Sequence, residues 1–589
     1  MNYKLNTQKN IVGEKKSFFQ TMRGLRPLVE GQEKRLGIAI VAIVVNSAIN
    51  LSAPLLIGYT IDTYITHKNM HGVYISAFVL LGMYIVALGT SYLQTTLMGQ
   101  VGQRLLFNLR NNIFNKLQEL PIAFFNQNKA GDLISRINND TDKLNAFFSQ
   151  SLVQFMGSLF VMLGAGIAVL CINWKLGLFA LLPAIIMFVL TRGLSVWVKQ
   201  RNAKSLASVG DLSAEIQESI ENFKVVITAH RQDYFVKKFD AVNKVNYATA
   251  ISAGIANNIF IPLYGLAANI AQIIVLAYGI YLISLGHFTV GLLVSFFSYV
   301  TNFYNPLRQL AALWGNFQVA LAGWDRVSAI LALDTDLVVA PADTHMHKGN
   351  LGVLHFDHVH FRYADGAVVL RDATFTLEQG KTYALVGPTG GGKTTTAMLM
   401  ARLYDPTDGE VFLRGVNIKT ISPEERTKSI GFILQEPFLF YGTLAENIVY
   451  GNTEYKNYTH EMLLEKLDDM GLTDLIARFE KGLDTHINNM SESISLGQKQ
   501  IISFVRAILR NPDVLILDEA TANIDTVTEE LLQSILQKLP AKTTRIVIAH
   551  RLHTIANADE IFFVNNGSIV AAGSMEHALD MLLHGKRTS

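Results

Sequence analysis

Thr382-Tyr-Ala-Leu-Val-Gly-Pro-Thr-Gly-Gly-Gly-Lys-Thr-Thr395 is the stretch from which the rest of the chain can be read. Thr382 to Val386 has the composition of a buried strand, and Ala397, Leu399 and Met400 continue beyond the loop with helical spacing. Between them, Gly387-Pro388-Thr389-Gly390-Gly391-Gly392-Lys393-Thr394 fits the pattern G-x-x-x-x-G-K-[ST]. Glycines in such a loop let successive backbone N–H groups wrap a phosphate chain. The following helix directs its positive N-terminus at the anion. Lys393 would place a charge on the β- and γ-phosphates, Thr394 would offer a hydroxyl to Mg²⁺, and Thr395 closes the set of residues expected around the nucleotide.

Further motifs support this reading. Val514 to Leu517 is an apolar run ending in Asp518 and Glu519. A strand closing in two carboxylates suits a metal-holding aspartate (Asp518) beside a glutamate that polarises the attacking water (Glu519). The strand Thr544–Ala549 leads into His550, where an imidazole could reach the γ-phosphate. Gln435 follows an expected strand at Ile430–Leu434 and could bind both Mg²⁺ and the attacking water. Tyr363, upstream of the glycine loop, could stack on adenine.

The first half of the chain is different in kind. The protein has 589 residues, of which 50% are hydrophobic and only 17% charged, and its mean hydropathy is +0.26. The apolar excess lies before about residue 320. Leu36–Ile61, Val73–Gln103, Leu144–Trp174 and Leu176–Thr191 contain no Asp, Glu, Lys or Arg, and neither does Tyr247–Leu307, which Gly286 and His287 divide. About 20 apolar residues cross a bilayer as a helix. Six spans are therefore expected, near 36–60, 74–98, 152–171, 176–197, 263–284 and 289–312. Residues 1–35 carry eight Lys or Arg, whereas the connections 66–72, 172–175 and 285–288 carry almost none. The positive-inside rule then puts both termini and the long connections 99–151 and 198–262 in the cytoplasm of a cell-membrane protein.

Within the long connections, Leu105, Leu109, Ile113 and Leu117 recur at helical spacing, so the helices should extend beyond the bilayer. Pro121 and Gly131 punctuate the first connection, and Glu215–Glu221 is the matching tip expected in the second. Ser17–Val29 has the composition of an amphipathic helix at the membrane surface. Asn46, Asn50, Asn269, Gln272, Asn302 and Gln309 are polar groups inside spans, facing either a substrate cavity or neighbouring helices. Phe296, Phe297, Tyr299, Phe303 and Tyr304 would suit an aromatic substrate or simple packing. The net charge of +2 gives no reason to expect nucleic-acid binding, and the single cysteine, Cys171, excludes an intrachain disulfide.

At Ile494-Ser-Leu-Gly-Gln-Lys-Gln500 the chain resembles the ATP-binding cassette (ABC) exporters. Tyr363, the glycine loop, Gln435, this segment, Leu515-Ile-Leu-Asp-Glu-Ala520, Asn523-Ile-Asp525 and His550 stand in that family's order, and the six-span half precedes them. The resemblance implies a membrane α-helical exporter domain followed by an α/β P-loop nucleotide-binding domain. The expected limits are 1–35 for a cytoplasmic N-terminus, 36–320 for the spans, 321–350 for a linker and 351–589 for the cassette. It implies ATP and Mg²⁺ as cofactors, with Thr394, Gln435 and Asp518 around the metal and Glu519, His550 and Gln435 in hydrolysis. In that family two cassettes meet head to tail. Ser495, Leu496, Gly497, Gln498 and Asp525 would then serve the partner's nucleotide. Coupling helices would fall near 121–127 and 215–221.

One departure stands out. Where the family usually has Leu-Ser-Gly-Gly-Gln, this chain has Ile494-Ser495-Leu496-Gly497-Gln498, and Asn488-Asn-Met-Ser491 also differs from the usual Gly-Glu-Arg-Gly. Leu496 adds a side chain where a missing Cβ lets backbone approach phosphate. Its own glycine-loop residues, Asp518, Glu519 and His550 are intact. The combination resembles one subunit of bacterial heterodimeric multidrug-type exporters, working with a second half that has an intact signature and moving a hydrophobic or amphipathic small molecule. A homodimer that tolerates Leu496, export of lipid or peptide, and an ATP-gated channel or regulatory subunit are the alternatives.

Overall fold

The computed structural model describes residues 3–5, 31–335, 337–341, 352–364, 366–452, 454–455, 457–488, 494–518, 526–548, 557–573, 576–577 and 580–581. These fall into two compact units. One comprises 7–118 and 130–332; the other comprises 1–6, 119–129 and 333–589. The amphipathic segment expected at Ser17–Val29 lies outside the described residues.

The first unit is helical. Among the described residues, five helical runs are long and apolar enough to cross a membrane: Glu33–Ile65, Met70–Glu119, Ala130–Ile172, Trp174–Glu221 and Gln232–Ser284. The remaining expected span falls on the N-terminal half of helix Val290–Leu331, which is not among those five but packs along Leu152–Ile172 and Glu33–Thr60. Where the apolar runs were expected to break, the chain turns. Asn173 caps the helix Trp174–Glu221 by accepting from the Leu176 N–H at 3.1 Å. Gly286 adopts φ +73°, and Thr289 caps Val290–Leu331 through the Leu292 N–H at 3.2 Å. Large apolar side chains remain on the outside, with Phe78, Leu88 and Tyr92 each more than 70% exposed. Water would not tolerate so broad an apolar surface, whereas lipid tails cover it.

Where helix Glu33–Thr60 meets the start of helix Val290–Leu331, the bundle is drawn together by small residues and carbonyls. A Cβ on Gly58 or Gly291 would run into the other glycine's backbone. The close approach lets Ser295 Oγ donate to the Pro54 carbonyl at 2.7 Å, while Tyr299 donates to the Leu51 carbonyl. Asp62 accepts from the Gly291 N–H at 2.8 Å and from Thr289 Oγ1 at 2.6 Å. Small residues at such crossings are how helices approach each other when no hydrophobic force separates them from lipid.

Beyond the apolar region the helices continue as expected. Leu105, Leu109, Ile113 and Leu117 are all buried on one face of Met70–Glu119. The second long connection differs from expectation: Glu215–Glu221 is the last part of helix Trp174–Glu221, and the separate short helix is Phe223–Thr228. Glu215 and Glu218 are committed there to Lys238 at 2.8 and 3.0 Å, which raises the Lys238 pKa and fastens helix Gln232–Asn258 to its neighbour. The linker expected from 321 also starts later, because Val290–Leu331 continues through it. Buried Val327 and Ile330 give that extension an apolar stripe to lay on its neighbours.

The second unit is α/β. An antiparallel sheet has the order β2-β1-β4-β5, with β1 at Leu354–Arg362, β2 at Val368–Leu377, β4 at Asp408–Leu413 and β5 at Val416–Asn417. A largely parallel sheet has the order β12-β11-β3-β10-β9-β6. Its strands are β3 Thr382–Val386, β6 Ile430–Ile433, β9 Val514–Asp518, β10 Thr544–Ile548, β11 Glu560–Asn565 and β12 Ser568–Ala571, the last antiparallel to β11, while β7 Gly442–Thr443 and β8 His486–Ile487 pair with each other. Strand β6 ends one residue before the expected Leu434, which is exposed. Every residue of β9 is buried, matching its unbroken apolar run.

Two short segments join this unit. Helix Ile122–Gln127 falls within it. The end of the linker does too: Ala340 N–H donates to the Lys419 carbonyl at 2.8 Å, and Arg402 Nη2 donates to the Val338 carbonyl at 2.8 Å. Arg402 is only 2% exposed and is neutralised by Asp405 at 2.9 Å, so its remaining donors are free to hold backbone carbonyls.

Candidate functional site

The parallel sheet gathers the expected nucleotide residues along one edge. Strand β10 lies between β3 and β9, and β6 flanks β9 on the other side. In register, Ile548 is opposite Asp518 and Ile433 opposite Leu517. The glycine loop after β3, Asp518 at the end of β9 and Gln435 just past β6 therefore leave the sheet at the same carboxyl edge. That edge is where open α/β sheets bind ligands, because loops and helix N-termini converge there.

The glycine loop needs its glycines. Gly387, Gly390 and Gly392 have φ of +147°, +80° and +112°, values that a residue with a Cβ rarely adopts. A Cβ on Gly387 would collide with the Val564 carbonyl of β11, and one on Gly391 would lie 2.6 Å from the same oxygen. The loop is thus pressed against β11, and it turns on itself where the Gly391 N–H donates to the Pro388 carbonyl at 3.0 Å. Helix Lys393–Met400 begins at once, with Thr396 Oγ1 returning to the Gly392 carbonyl at 2.9 Å.

Lys393 is 6% exposed, and its Nζ folds back over the loop, donating to the Gly387 and Pro388 carbonyls at 2.9 and 3.1 Å. The ammonium therefore sits across the mouth of the loop rather than in solvent. Thr394 Oγ1 lies 3.4 Å from Asp518 Oδ1, and Asp518 is 3% exposed. A hydroxyl and a buried carboxylate this close form an oxygen donor pair of the kind that suits Mg²⁺. Gln435 is exposed at the same edge. Glu519, His550, Asn523 and Asp525 lie outside the described residues.

Tyr363 follows β1, and its hydroxyl is 3.0 Å from Thr395 Oγ1 on the loop helix. Its ring meets Phe361 edge to face at 4.9 Å and Tyr404 edge to face at 5.6 Å. Sequence reading missed Tyr404, which has no motif of its own. Burial raises the Tyr404 pKa, and a hydrogen bond from Asn126 Nδ2 at 3.0 Å pulls it the other way.

The segment Ile494–Gln498 forms the start of helix Leu496–Ile508. Ser495 is its N-cap, and with Gln498 it makes a reciprocal capping box, the Gln498 N–H donating to Ser495 Oγ at 3.2 Å and the Ser495 N–H to Gln498 Oε1 at 2.9 Å. Ile494 is buried, while Leu496 at the first helical position is 44% exposed. It stands in the first turn, whose N–H groups form the positive end of the helix.

In the membrane unit, the polar residues divide between two uses. Asn46 Nδ2 donates to the Ala87 carbonyl at 2.9 Å and to Thr90 at 3.2 Å, Gln272 donates to Thr301 at 3.2 Å, and Ser158 donates to Gln309 Oε1 at 3.1 Å. These are helix-to-helix bonds. Asn46, Gln94, Ser158 and Gln309 also line a cavity of about 240 Å³ beside Pro306. Of the aromatic residues expected to suit a substrate, Phe296, Tyr299 and Tyr304 are buried in the helix bundle as packing, and Tyr304 donates to the Ala180 carbonyl at 2.8 Å.

Known proteins share both halves. Residues 36–307 match the ABC transporter transmembrane region family, and residues 370–522 match the ABC transporter family. The uncharacterized ABC transporter ATP-binding protein YfiC of Bacillus subtilis is 33% identical over 553 residues, covering 93% of this chain and 90% of that protein. The fatty acid ABC transporter ATP-binding/permease protein of Mycobacterium bovis is 32% identical over 495 residues, 84% of this chain and 77% of its own. The multidrug resistance ABC transporter ATP-binding and permease protein of Lactococcus lactis subsp. cremoris is 31% identical over 545 residues, 91% of this chain and 89% of its own. With a membrane-spanning helical region fused to a nucleotide-binding cassette in one polypeptide, the chain belongs to the exporter-type ABC transporters, ATPases that couple nucleotide turnover to transport.

Proposed function

We propose that the chain is one half of a heterodimeric exporter that moves hydrophobic or amphipathic compounds outward across the cytoplasmic membrane. The observation that carries the heterodimer is Leu496. A half-exposed leucine occupies the first position of helix Leu496–Ile508, where a glycine would leave the N–H groups open to a γ-phosphate. The reading is supported by Lys393 folding over the chain's own glycine loop and by Thr394 lying 3.4 Å from Asp518 at the end of β9. The asymmetry is resolved if the second half supplies an intact Leu-Ser-Gly-Gly-Gln over this chain's nucleotide, leaving the other site weak.

In this reading ATP lies on the glycine loop with its base against Tyr363. Lys393 leaves the Gly387 and Pro388 carbonyls for the β- and γ-phosphates. Thr394 and Asp518, with Gln435, hold Mg²⁺, which neutralises phosphate charge when bound. Glu519 polarises water and His550 steadies the γ-phosphate. Closure of the two cassettes on ATP drives the spans toward an outward-facing arrangement, and hydrolysis resets them. Both termini and the cassette lie in the cytoplasm, with Val290–Leu331 providing the sixth span.

The test is purification of the chain alone and together with its second half. Substrate-stimulated ATP hydrolysis confined to the two-chain complex supports the reading; full stimulated activity from this chain alone overturns it. Lipid export is the second reading, favoured by the fatty-acid transporter among its relatives. Stimulation by fatty acids but not by cationic amphiphiles would select it.

A further inference from the structure

Helix Ile122–Gln127 is held on the cassette unit from two directions. On one side, residues Tyr3–Leu5 are laid against it. Tyr3 and Leu5 are 1% and 5% exposed. The Tyr3 N–H donates to Gln127 Oε1 at 2.8 Å, and the Leu5 N–H donates to Asn128 Oδ1 at 3.2 Å. Asn128 Nδ2 returns to the Tyr3 carbonyl at 3.0 Å and to the Phe124 carbonyl at 2.8 Å. The Tyr3 ring meets Phe124 edge to face at 6.4 Å.

On the other side, Asn126 Nδ2 donates to the Tyr404 hydroxyl at 3.0 Å. Tyr404 belongs to an aromatic cluster with Phe361 and Tyr363. Tyr363 is in turn bonded to Thr395 on the glycine-loop helix. A continuous path of side-chain contacts therefore joins the ring assigned to the ATP base with a helix that belongs, in sequence, to the membrane half.

We propose that Tyr404 is a positioning residue that makes occupancy of the base site, separately from phosphate binding, felt at helix Ile122–Gln127. This rests on the reading of Tyr363 as the base-stacking ring. A base lying on Tyr363 fixes that ring on one face. Tyr404, packed against its edge, then holds its hydroxyl where Asn126 can donate to it. Without a base, the hold on the Tyr363 ring falls back on its hydroxyl bond to Thr395 and its edge contacts, and the Tyr404–Asn126 bond loses part of its support. The Tyr3–Leu5 strap keeps the far end of the helix in place, so the change is felt at the Asn126 end.

The test is hydrogen–deuterium exchange of the segment 119–129 in the full-length transporter in its native assembly. It is followed without nucleotide, with a non-hydrolysable ATP analogue plus Mg²⁺, and with inorganic tripolyphosphate plus Mg²⁺, which offers phosphates but no base. Wild type is expected to show slower exchange with the ATP analogue than with tripolyphosphate, by about fivefold, the usual worth of one hydrogen bond. Tyr404→Phe keeps the ring and removes the hydroxyl. It should erase that difference while leaving affinity for the analogue within about twofold, since each kcal/mol of lost binding would cost more than that. Asn126→Ala, which removes the donor, should behave the same way.

Equal protection by the two probes in wild type, or an undiminished difference in both variants, would overturn the proposal. Tyr363→Ala separates it from the reading beneath it. If analogue affinity does not fall in that variant, the base-site assignment fails and the relay with it. If affinity falls while Tyr404→Phe behaves as wild type, only the relay fails.

Discussion

Asp140 offers the sharpest quantitative test of how the extended ends of the membrane-unit helices are held. It lies in a π-helical turn, Arg136–Asp140, and is 1% exposed. Lys143 Nζ donates to its Oδ1 at 2.9 Å, and Arg326 Nε lies 3.0 Å from its Oδ2. Arg326 also reaches Asp132 at 2.6 Å, and Asp132 accepts from Arg136 at 2.9 Å. Arg136, 3% exposed, donates to the Arg326 carbonyl at 2.8 Å. Two carboxylates thus engage three cations and tie helix Val290–Leu331 to the start of the third span. Asp140→Ala removes one carboxylate. Breaking a fully buried pair costs about 3–5 kcal/mol. The Lys143 and Arg326 side chains are 44% and 39% exposed, so both can rehydrate after the loss. Exposed pairs contribute at most about 1 kcal/mol, and the discounted cost for this intermediate case is about 2 kcal/mol.

The assay is denaturant unfolding of the full-length chain in detergent, run as a double-mutant cycle with Arg326→Ala. A coupling of about 1 kcal/mol or more is expected, because the two side chains are in direct contact. If the two effects add to within about 0.5 kcal/mol, the ion contact contributes nothing and the reasoning is wrong.

Three further outcomes follow from the geometry. Gly291→Ala should destabilise the membrane unit by about 1–3 kcal/mol, since its Cβ meets the Gly58 carbonyl and the Asp62 carboxylate; a wild-type melting profile in detergent would contradict this. Leu496→Gly should raise ATP turnover of the chain purified alone, because it restores backbone access at the helix N-terminus; unchanged turnover would count against the role given to Leu496. Chelating Mg²⁺ with EDTA should stop hydrolysis while a fluorescent ATP analogue still binds, and persistence of hydrolysis would remove the metal from the scheme.

Much of this architecture was legible because it rests on local patterns. The glycine loop announces a backbone requirement, and the φ values at Gly387, Gly390 and Gly392 show what that requirement is. The spacing of Leu105, Leu109, Ile113 and Leu117 gave the buried face of a helix running far beyond the apolar region. Strand ends at Asp518 and near Gln435 followed from apolar runs closing in polar residues. What sequence reading lost depends on contacts between distant residues. Glu215–Glu221 reads as a helix tip, but its carboxylates are partners for Lys238, and the true short helix is the more apolar Phe223–Thr228. Tyr404 and Asn126 are 278 positions apart, and neither belongs to a motif. For the aromatic set Phe296, Tyr299 and Tyr304, composition leaves a substrate wall and packing open, and burial in the bundle decides for packing.

The central claim is that ATP turnover at the carboxyl edge of the parallel sheet drives movement through the spans. Its most direct test is flux of a fluorescent amphiphile in sealed liposomes bearing the full-length transporter with its second half and ATP on the cassette side. The account predicts ATP-dependent, one-way flux for wild type, and none for Glu519→Gln despite retained ATP binding. Equal flux in the two, or flux that ignores ATP, would contradict it.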